Sequence, residues 1–297
     1  MKTARLLFAV MMGLVVLISS ADGADKKKKK RTVMQLKPEE IKRLEDACPA
    51  EVAKPKKERR VLVHWRCDGF FHKAGIPWGN KAIEVWGNKT GAWKTDFSDS
   101  YEAFTAENLA KYDALIFNNS TRLKPSPEAQ KALFDFVHNG KGMVGIHAAT
   151  DNFYNWKEGA KMMGGLFSGH PWGAGGTWQI KIASPNHPMV QVFEGKPFKI
   201  KDELYQFKDP YTRSDRIVLL QVDLSDPKTA QAGKKGKRQD KDYAMAWVSL
   251  HGKGRVFYNA LGHNPEPFCD KAITKFNIDG IQFALGDLEV PATPDKQ

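Results

Sequence analysis

Several histidines and carboxylates sit at turns that follow apolar runs. His72 lies in CDGFFHKAG, His147 and Asp151 in GMVGIHAATD, and His170 in GGLFSGHPWG. Glu203 and Tyr205 lie in KDELY, and His263 lies in NALGHNPEPF. Neutral imidazole and carboxylate are ligands for zinc and similar divalent cations. The same groups move protons near neutral pH. No HExxH pair is present, so any ligand set has to converge from separate loops. Each residue also has a plainer role open to it: His72 or Asp151 as a helix cap, His170 as a turn former, Tyr205 as packing. His64, inside an apolar run, reads as a core residue, and His138 as the surface of a helix. His187 precedes a proline and His251 lies at a turn.

The elements that position these residues are legible from their periodicity. RRVLVHW (59–65), DALIFNNS (113–120) and GMVGIHAA (142–149) read as buried strands. SPEAQKALFDFVHNGK (126–141) reads as a helix. It opens Ser-Pro-Glu, carries apolar residues at 129, 132, 133, 136 and 137, and closes at Gly140. Helices are also expected over 78–89, 105–112, 155–165 and 270–285, and a short strand over 93–100. This alternation predicts an α/β fold with a mainly parallel sheet, whose ligands bind at the carboxyl ends of its strands. From about residue 177 the strand-like runs follow one another without helices, which predicts antiparallel additions in the C-terminal half. KTAQAGKKGKRQDKD (228–242) reads as a polar loop. GMVGIHAATDNFYNW has the outline of a nucleophile elbow, strand to tight turn to helix, with His147 at the turn in place of Ser or Cys.

Residues 1–24 have a basic start, an apolar run from Leu6 to Ile18 and small residues after it. The run is short of the ~20 residues that span a bilayer, so the segment reads as a signal peptide. The mature chain is expected to be exported, periplasmic or extracellular, with no membrane span after cleavage. The net charge of +12 is concentrated there and nearby: residues 1–60 hold 16 Lys/Arg against 8 Asp/Glu. Residues 25–58 therefore read as a basic, flexible arm containing one short helix, PEEIKRLEDAC, and no nucleic-acid partner is expected. Residues 289–297 read as a tail. The three cysteines, Cys48, Cys67 and Cys269, leave at least one thiol outside any pair within the chain, and the sequence does not choose a pair. No oligomeric state is read.

GFFH, VGIHAATD, GGLFSGHPW, DELY and GRVFYNALGH, in this order, resemble the ThuA-like, or trehalose-utilisation, family over residues 59–288. The resemblance implies a flavodoxin-like, class I glutamine amidotransferase-like three-layer sandwich. In that wider fold the elbow holds a catalytic cysteine. Here it reads Gly145-Ile146-His147-Ala148-Ala149, so glutamine amidotransferase chemistry is not expected.

For function, the resemblance implies the use of trehalose or another disaccharide through 3-keto-glycosides. A ketone at C3 acidifies the C2 hydrogen. A base then removes it, and elimination or isomerisation follows from the enolate. His147, His263, Asp151 and Tyr205 are the candidate catalytic residues, and His170, Trp172 and Trp156 the candidate substrate contacts. His72, His147, Glu203 and His263 are the candidate ligands of a divalent metal, zinc first. No nucleotide cofactor is expected. A sugar-binding protein without chemistry and a conventional glycoside hydrolase using Asp151 and Glu203 are the alternatives.

Overall fold

A computed structural model describes residues 33–294. The expected signal peptide and the lysine run that follows it lie outside the described residues. The described chain opens with α1 (Pro38–Ala47) and β1 (Arg60–His64), then α2 (Gly75–Thr90), β2 (Lys94–Ser98) and the single turn α3 (Ala106–Leu109). β3 (Ala114–Asn118), α4 (Pro127–His138), β4 (Gly142–Ile146) and α5 (Lys157–Met163) complete the alternating half. The strands β5 (Leu166–Phe167), β6 (Thr177–Ile182), β7 (Phe198–Lys201), β8 (Phe207–Lys208) and β9 (Arg216–Val222) follow. The chain ends with α6 (Pro227–Gly233), β10 (Ala244–His251), β11 (Gly254–Asn259), α7 (Glu266–Cys269) and α8 (Lys271–Leu285).

Nine strands form one sheet in the order β2-β1-β3-β4-β11-β10-β9-β6-β7. The first five run parallel, and β10, β9, β6 and β7 continue the sheet antiparallel. This is the expected α/β three-layer sandwich with a mainly parallel sheet and antiparallel C-terminal additions. The inner parallel strands β3 and β4 are apolar runs because helices cover both of their faces, whereas the edge strand β2, KTDFS, is polar. β3 and β4 are buried at every residue. α4 forms as its sequence dictates. Ser126 accepts the Ala129 amide, Pro127 opens the helix, and Ala129, Leu133, Phe136 and Val137 are buried on one stripe. Close helix–sheet approach needs glycine at Gly142, where a Cβ would meet the Ala284 carbonyl at 2.4 Å.

Three expectations are corrected. From Val33 onward the basic arm is part of the domain. Leu44 of α1 is fully buried, and Ala53 exchanges backbone hydrogen bonds with the Gln282 side chain. Next to it, Arg59 meets the Asp287 carboxylate with Nε at 3.0 Å and Nη2 at 2.6 Å. Charge made the segment look solvated, whereas its few apolar and amide groups fasten it. The polar loop 228–242 contains most of α6, because the Asp226 carboxylate accepts both the amide and the hydroxyl of Thr229. Of the strand-like run 196–207, only Phe198–Lys201 and Phe207 are in strands, with Leu204 in an isolated bridge to Trp172. Among the described residues, Cys48 and Cys269 form no disulfide. Among the described residues, no helix is long and apolar enough to cross a membrane.

Candidate metal centre

His147 is the first residue after β4 and adopts φ +49°. A left-handed, non-glycine residue at a strand end is uncommon and typical of functional turns. The elbow outline is therefore real, and imidazole occupies its tip. Two contacts hold the turn. The Tyr258 hydroxyl donates to the His147 carbonyl at 2.6 Å, and it lies 3.1 Å from Thr150 Oγ1. Gly145 packs so tightly that a Cβ would lie 2.5 Å from Met163 Sδ. The His147 Nδ1–H donates to the Ala260 carbonyl at 2.7 Å, which fixes the tautomer and leaves the Nε2 lone pair for the site.

The other members arrive on separate segments. The loop after β1 carries His72 to the start of α2, where its backbone carbonyl, not its ring, accepts the Ile76 amide. His263 follows β11, after Gly262 at φ +130°. Glu203 follows β7, the outermost strand of the antiparallel half. One ligand atom from each of His72, His147, Glu203 and His263 lies within 4.8 Å of all the others. His263 Nδ1 is 3.2 Å from both Glu203 Oε2 and His147 Nε2, and His147 Nε2 is 3.6 Å from Glu203 Oε2. The His72 ring stands edge-on to His147 and His263, with ring centres 5.0 Å apart in each case.

The electrostatics match this donor set. Burial, reinforced by the neighbouring imidazoles, pushes the His72 pKa down to about 2, so the ring is neutral. Burial pushes the Glu203 carboxyl up, but the imidazoles of His147 and His263 that face it outweigh burial and hold the group below its ordinary range. Burial lowers the His263 imidazole, and its hydrogen bond to Glu203 more than restores it, leaving a net rise. His72 Nδ1 is buried without a partner among the described residues. Lone pairs that converge this closely need a proton or a cation between them. Three imidazoles and one carboxylate suit a divalent ion. The cluster can therefore hold one through His72, His147, Glu203 and His263.

Three further residues touch this set. His170, about half exposed, places Nδ1 3.3 Å from Glu203 Oε1. The Tyr205 ring covers His147 at 4.3 Å, and its hydroxyl is 3.4 Å from His72 Nε2. Burial raises that phenol well above its usual pKa, so it stays protonated. Asp151 lies outside the ligand set. It binds Arg122 Nε at 3.1 Å and accepts from the Tyr154 hydroxyl at 2.6 Å. It does not cap α5, which begins after Trp156. Trp172 is corrected as a substrate contact: it is fully buried, with its indole N–H on the Thr229 carbonyl at 2.8 Å. Trp156 is mostly buried but lines a cleft with Arg122 and Tyr154.

Sequence reasoning passed over Asp202, Asn119 and Phe70. Asp202 is fully buried and accepts the Gly262 amide at 2.7 Å and the Asn264 amide at 2.8 Å. It ties the His263 loop to the Glu203 segment, and burial pushes its pKa up to about 6. Asn119, at φ +54°, donates to the Gly262 carbonyl at 3.1 Å. Its place at the carboxyl end of a parallel strand was the available signal. Phe70 is 66% exposed, with its ring 4.9 Å from His72.

Comparison with known proteins now fits this geometry. The model of the ThuA family, described as trehalose utilisation, matches residues 60–284. The chain belongs to the ThuA family. A crystal structure of a ThuA-like protein from Bacteroides uniformis is similar at 20% identity and TM-score 0.62, over 80% of this chain and 94% of that one. A ThuA-like protein from Parabacteroides merdae is similar at 18% identity and TM-score 0.58, over the same shares. At such identities these two show the fold alone. No curated protein matches the chain. All four candidate ligands fall inside the matched ThuA span, contributed by the ends of β1, β4, β7 and β11.

Proposed function

We propose that this ThuA-family chain is an exported enzyme of carbohydrate use that acts on a 3-keto-glycoside by proton abstraction at C2. One observation carries the reading: three imidazoles and a carboxylate from four separate strand ends converge within 4.8 Å, beside a half-exposed fourth imidazole. A divalent cation in the four-donor set, zinc first, would supply Lewis acidity toward the ketone oxygen.

Holding a cation and accepting a proton compete for the same lone pair. His147 and His263 lie inside the donor set, so we assign the base to His170. His170 stands outside that set, faces solvent in part and lies within reach of Glu203. It takes the C2 proton, and the C2–H electron pair forms the enolate. The enolate collapses to a C1=C2 double bond as the C1–O bond breaks. The leaving oxygen takes the proton back from His170, giving an unsaturated ketone and a free alcohol. Addition of water to that ketone gives net hydrolysis, and reprotonation of the enolate without elimination gives isomerisation. The protonated Tyr205 hydroxyl is a neutral donor for the developing oxyanion. Asp151 positions Arg122 and Tyr154 and has no proton-transfer role.

The test is proton NMR in D₂O with purified mature protein and 3-keto-disaccharides, including the trehalose derivative. Loss of the C2–H signal and release of sugar is the expected result. His170→Ala should abolish C2 exchange while leaving metal content unchanged. Sugar binding without exchange in the wild type would replace the enzyme by a sugar-binding protein.

A further inference from the structure

The His147 turn does two things. At its start it presents His147, and at its end it supplies Asp151 and Asn152, which hydrogen-bond to the walls of a separate cleft. One wall runs from Arg122 to Pro125 and the other from Phe153 to Trp156, and they enclose about 420 Å³. That volume is in the range of ~300–1,000 Å³ typical of small-molecule sites.

Asp151 and Asn152 tie the two walls together. The Asp151 carbonyl accepts the Arg122 amide at 2.7 Å, and the Asn152 side chain accepts the Leu123 amide at 2.9 Å. From the opposite wall, Tyr154 donates to the Asp151 carboxylate. Arg122 at φ +57° and Phe153 at φ +62° are both left-handed. Such backbone persists only where its surroundings fix it, and it gathers at ligand clamps. The cleft is therefore set before any ligand arrives.

Its position points to the ligand. The Tyr154 hydroxyl also reaches the Phe167 carbonyl, at 3.3 Å. The Phe167 ring lies 4.4 Å from Tyr205 and is stacked 6.0 Å from His170. One residue thus separates the cleft from the proposed base. The lining is amphipathic: Arg122, Lys124 and Asn155 beside Leu123, Pro125 and Trp156. Arg122 commits Nε to Asp151, and its terminal nitrogens hydrogen-bond to no protein group among the described residues. A planar fork of donors beside apolar surface suits a sugar ring, with paired hydroxyls on one edge and C–H groups on its face.

We propose that this cleft is a second carbohydrate subsite, which holds the leaving-group ring of a disaccharide whose oxidised ring lies at the histidine cluster. The assignment rests on the function proposed above. It predicts a preference for disaccharides over simple glycosides, because the second ring contributes binding only where a second site exists.

Two variants test it. Arg122→Asn removes the fork at a left-handed position that asparagine tolerates. Asn155→Trp fills the cleft from an exposed wall position and leaves Asp151 untouched. kcat/KM is measured for the 3-keto derivative of trehalose and for methyl 3-keto-glucoside, which lacks a second ring. Both variants should lose roughly tenfold or more on the disaccharide and nothing on the methyl glycoside. An equal loss on both substrates, or no loss on either, overturns the subsite. A second readout does not depend on turnover: the Trp156 indole ¹H–¹⁵N signal, assigned with Trp156→Phe, titrated with unoxidised trehalose. A shift in the wild type that Asn155→Trp removes supports the subsite, and its absence overturns it. Wild type that turns over neither keto-glycoside overturns the proposed reaction, and the indole titration then decides the subsite separately.

Discussion

The two halves of the sheet contribute to the centre in different ways. The parallel half offers strand ends: His72 after β1, His147 after β4 and His263 after β11, in the place where parallel sheets collect ligands. The antiparallel half offers a returning segment. Asp202 and Glu203 leave the edge strand β7 and reach back to His147 and the β11 loop at the middle of the hydrogen-bonding order. Three imidazoles on parallel strand ends form a cup of nitrogen donors. The single carboxylate, which adds charge to the set, comes from the other half. A parallel sheet of this type therefore positions ligands by topology, whereas its antiparallel extension positions them by tethering.

Glu203→Gln should separate the halves most sharply. It keeps the shape of the cup and removes its charge, so bound metal measured by mass spectrometry should fall by more than roughly 100-fold in affinity, and turnover with it. Outer partners of metal ligands alone cost 10–100-fold. Full metal content in this variant would leave the antiparallel half without a role in the centre. Asp202→Asn comes next, since it weakens the tether without touching a ligand. A charged acceptor of two buried amides contributes about 1.5–3 kcal/mol, so the melting temperature should drop and metal affinity should fall about tenfold. A loss of stability with unchanged metal affinity would show that the His263 loop holds its own geometry.

In the parallel half, Gly145→Ala drives a methyl group toward Met163 Sδ under the elbow. It should cost about 1–3 kcal/mol in urea unfolding, from overpacking. His64 gives the most local effect, one that is absent at neutral pH. Burial, only partly offset by its contact with the Ser100 carbonyl, pushes its pKa from 6.5 down to about 3. Between those values the unfolded chain binds the proton and the folded chain does not. Stability is thus complete above pH 6.5 and falls as pH drops toward 3, by about 1.4 kcal/mol per pH unit from this residue. His64→Phe should remove that part of the slope when wild type and variant are unfolded across the range. An identical slope in both would place the titration elsewhere.

Much of the parallel half was legible because its signals are local. α4 carries its cap, its proline and its apolar stripe in one stretch, and β1, β3 and β4 are unbroken apolar runs. The ligand residues were legible as types at turns. Other features were not, because distant partners decide them. Trp172 looked like a sugar contact beside a glycine-histidine turn, yet Tyr243 and the α6 segment bury it. The arm looked solvated because charge dominates its composition, while Gln282 and Asp287 fasten it from more than two hundred residues away. Asp202 looked like an ordinary acidic neighbour of Glu203, and only the Gly262 and Asn264 amides make it a tether.

The sequence by itself determined the alternating α/β half, the elbow with imidazole at its tip and the family. Each is written in nearest-neighbour periodicity or in short motifs, and helix and strand formation respond to those. The tertiary structure alone decided that His72, His147, Glu203 and His263 share one space, that His170 stays outside it, and that Asp151 joins Arg122 to Tyr154 instead of capping α5. Those outcomes depend on how the segment after the edge strand β7 returns to the middle of a nine-stranded sheet, a long-range packing result that no window of sequence contains.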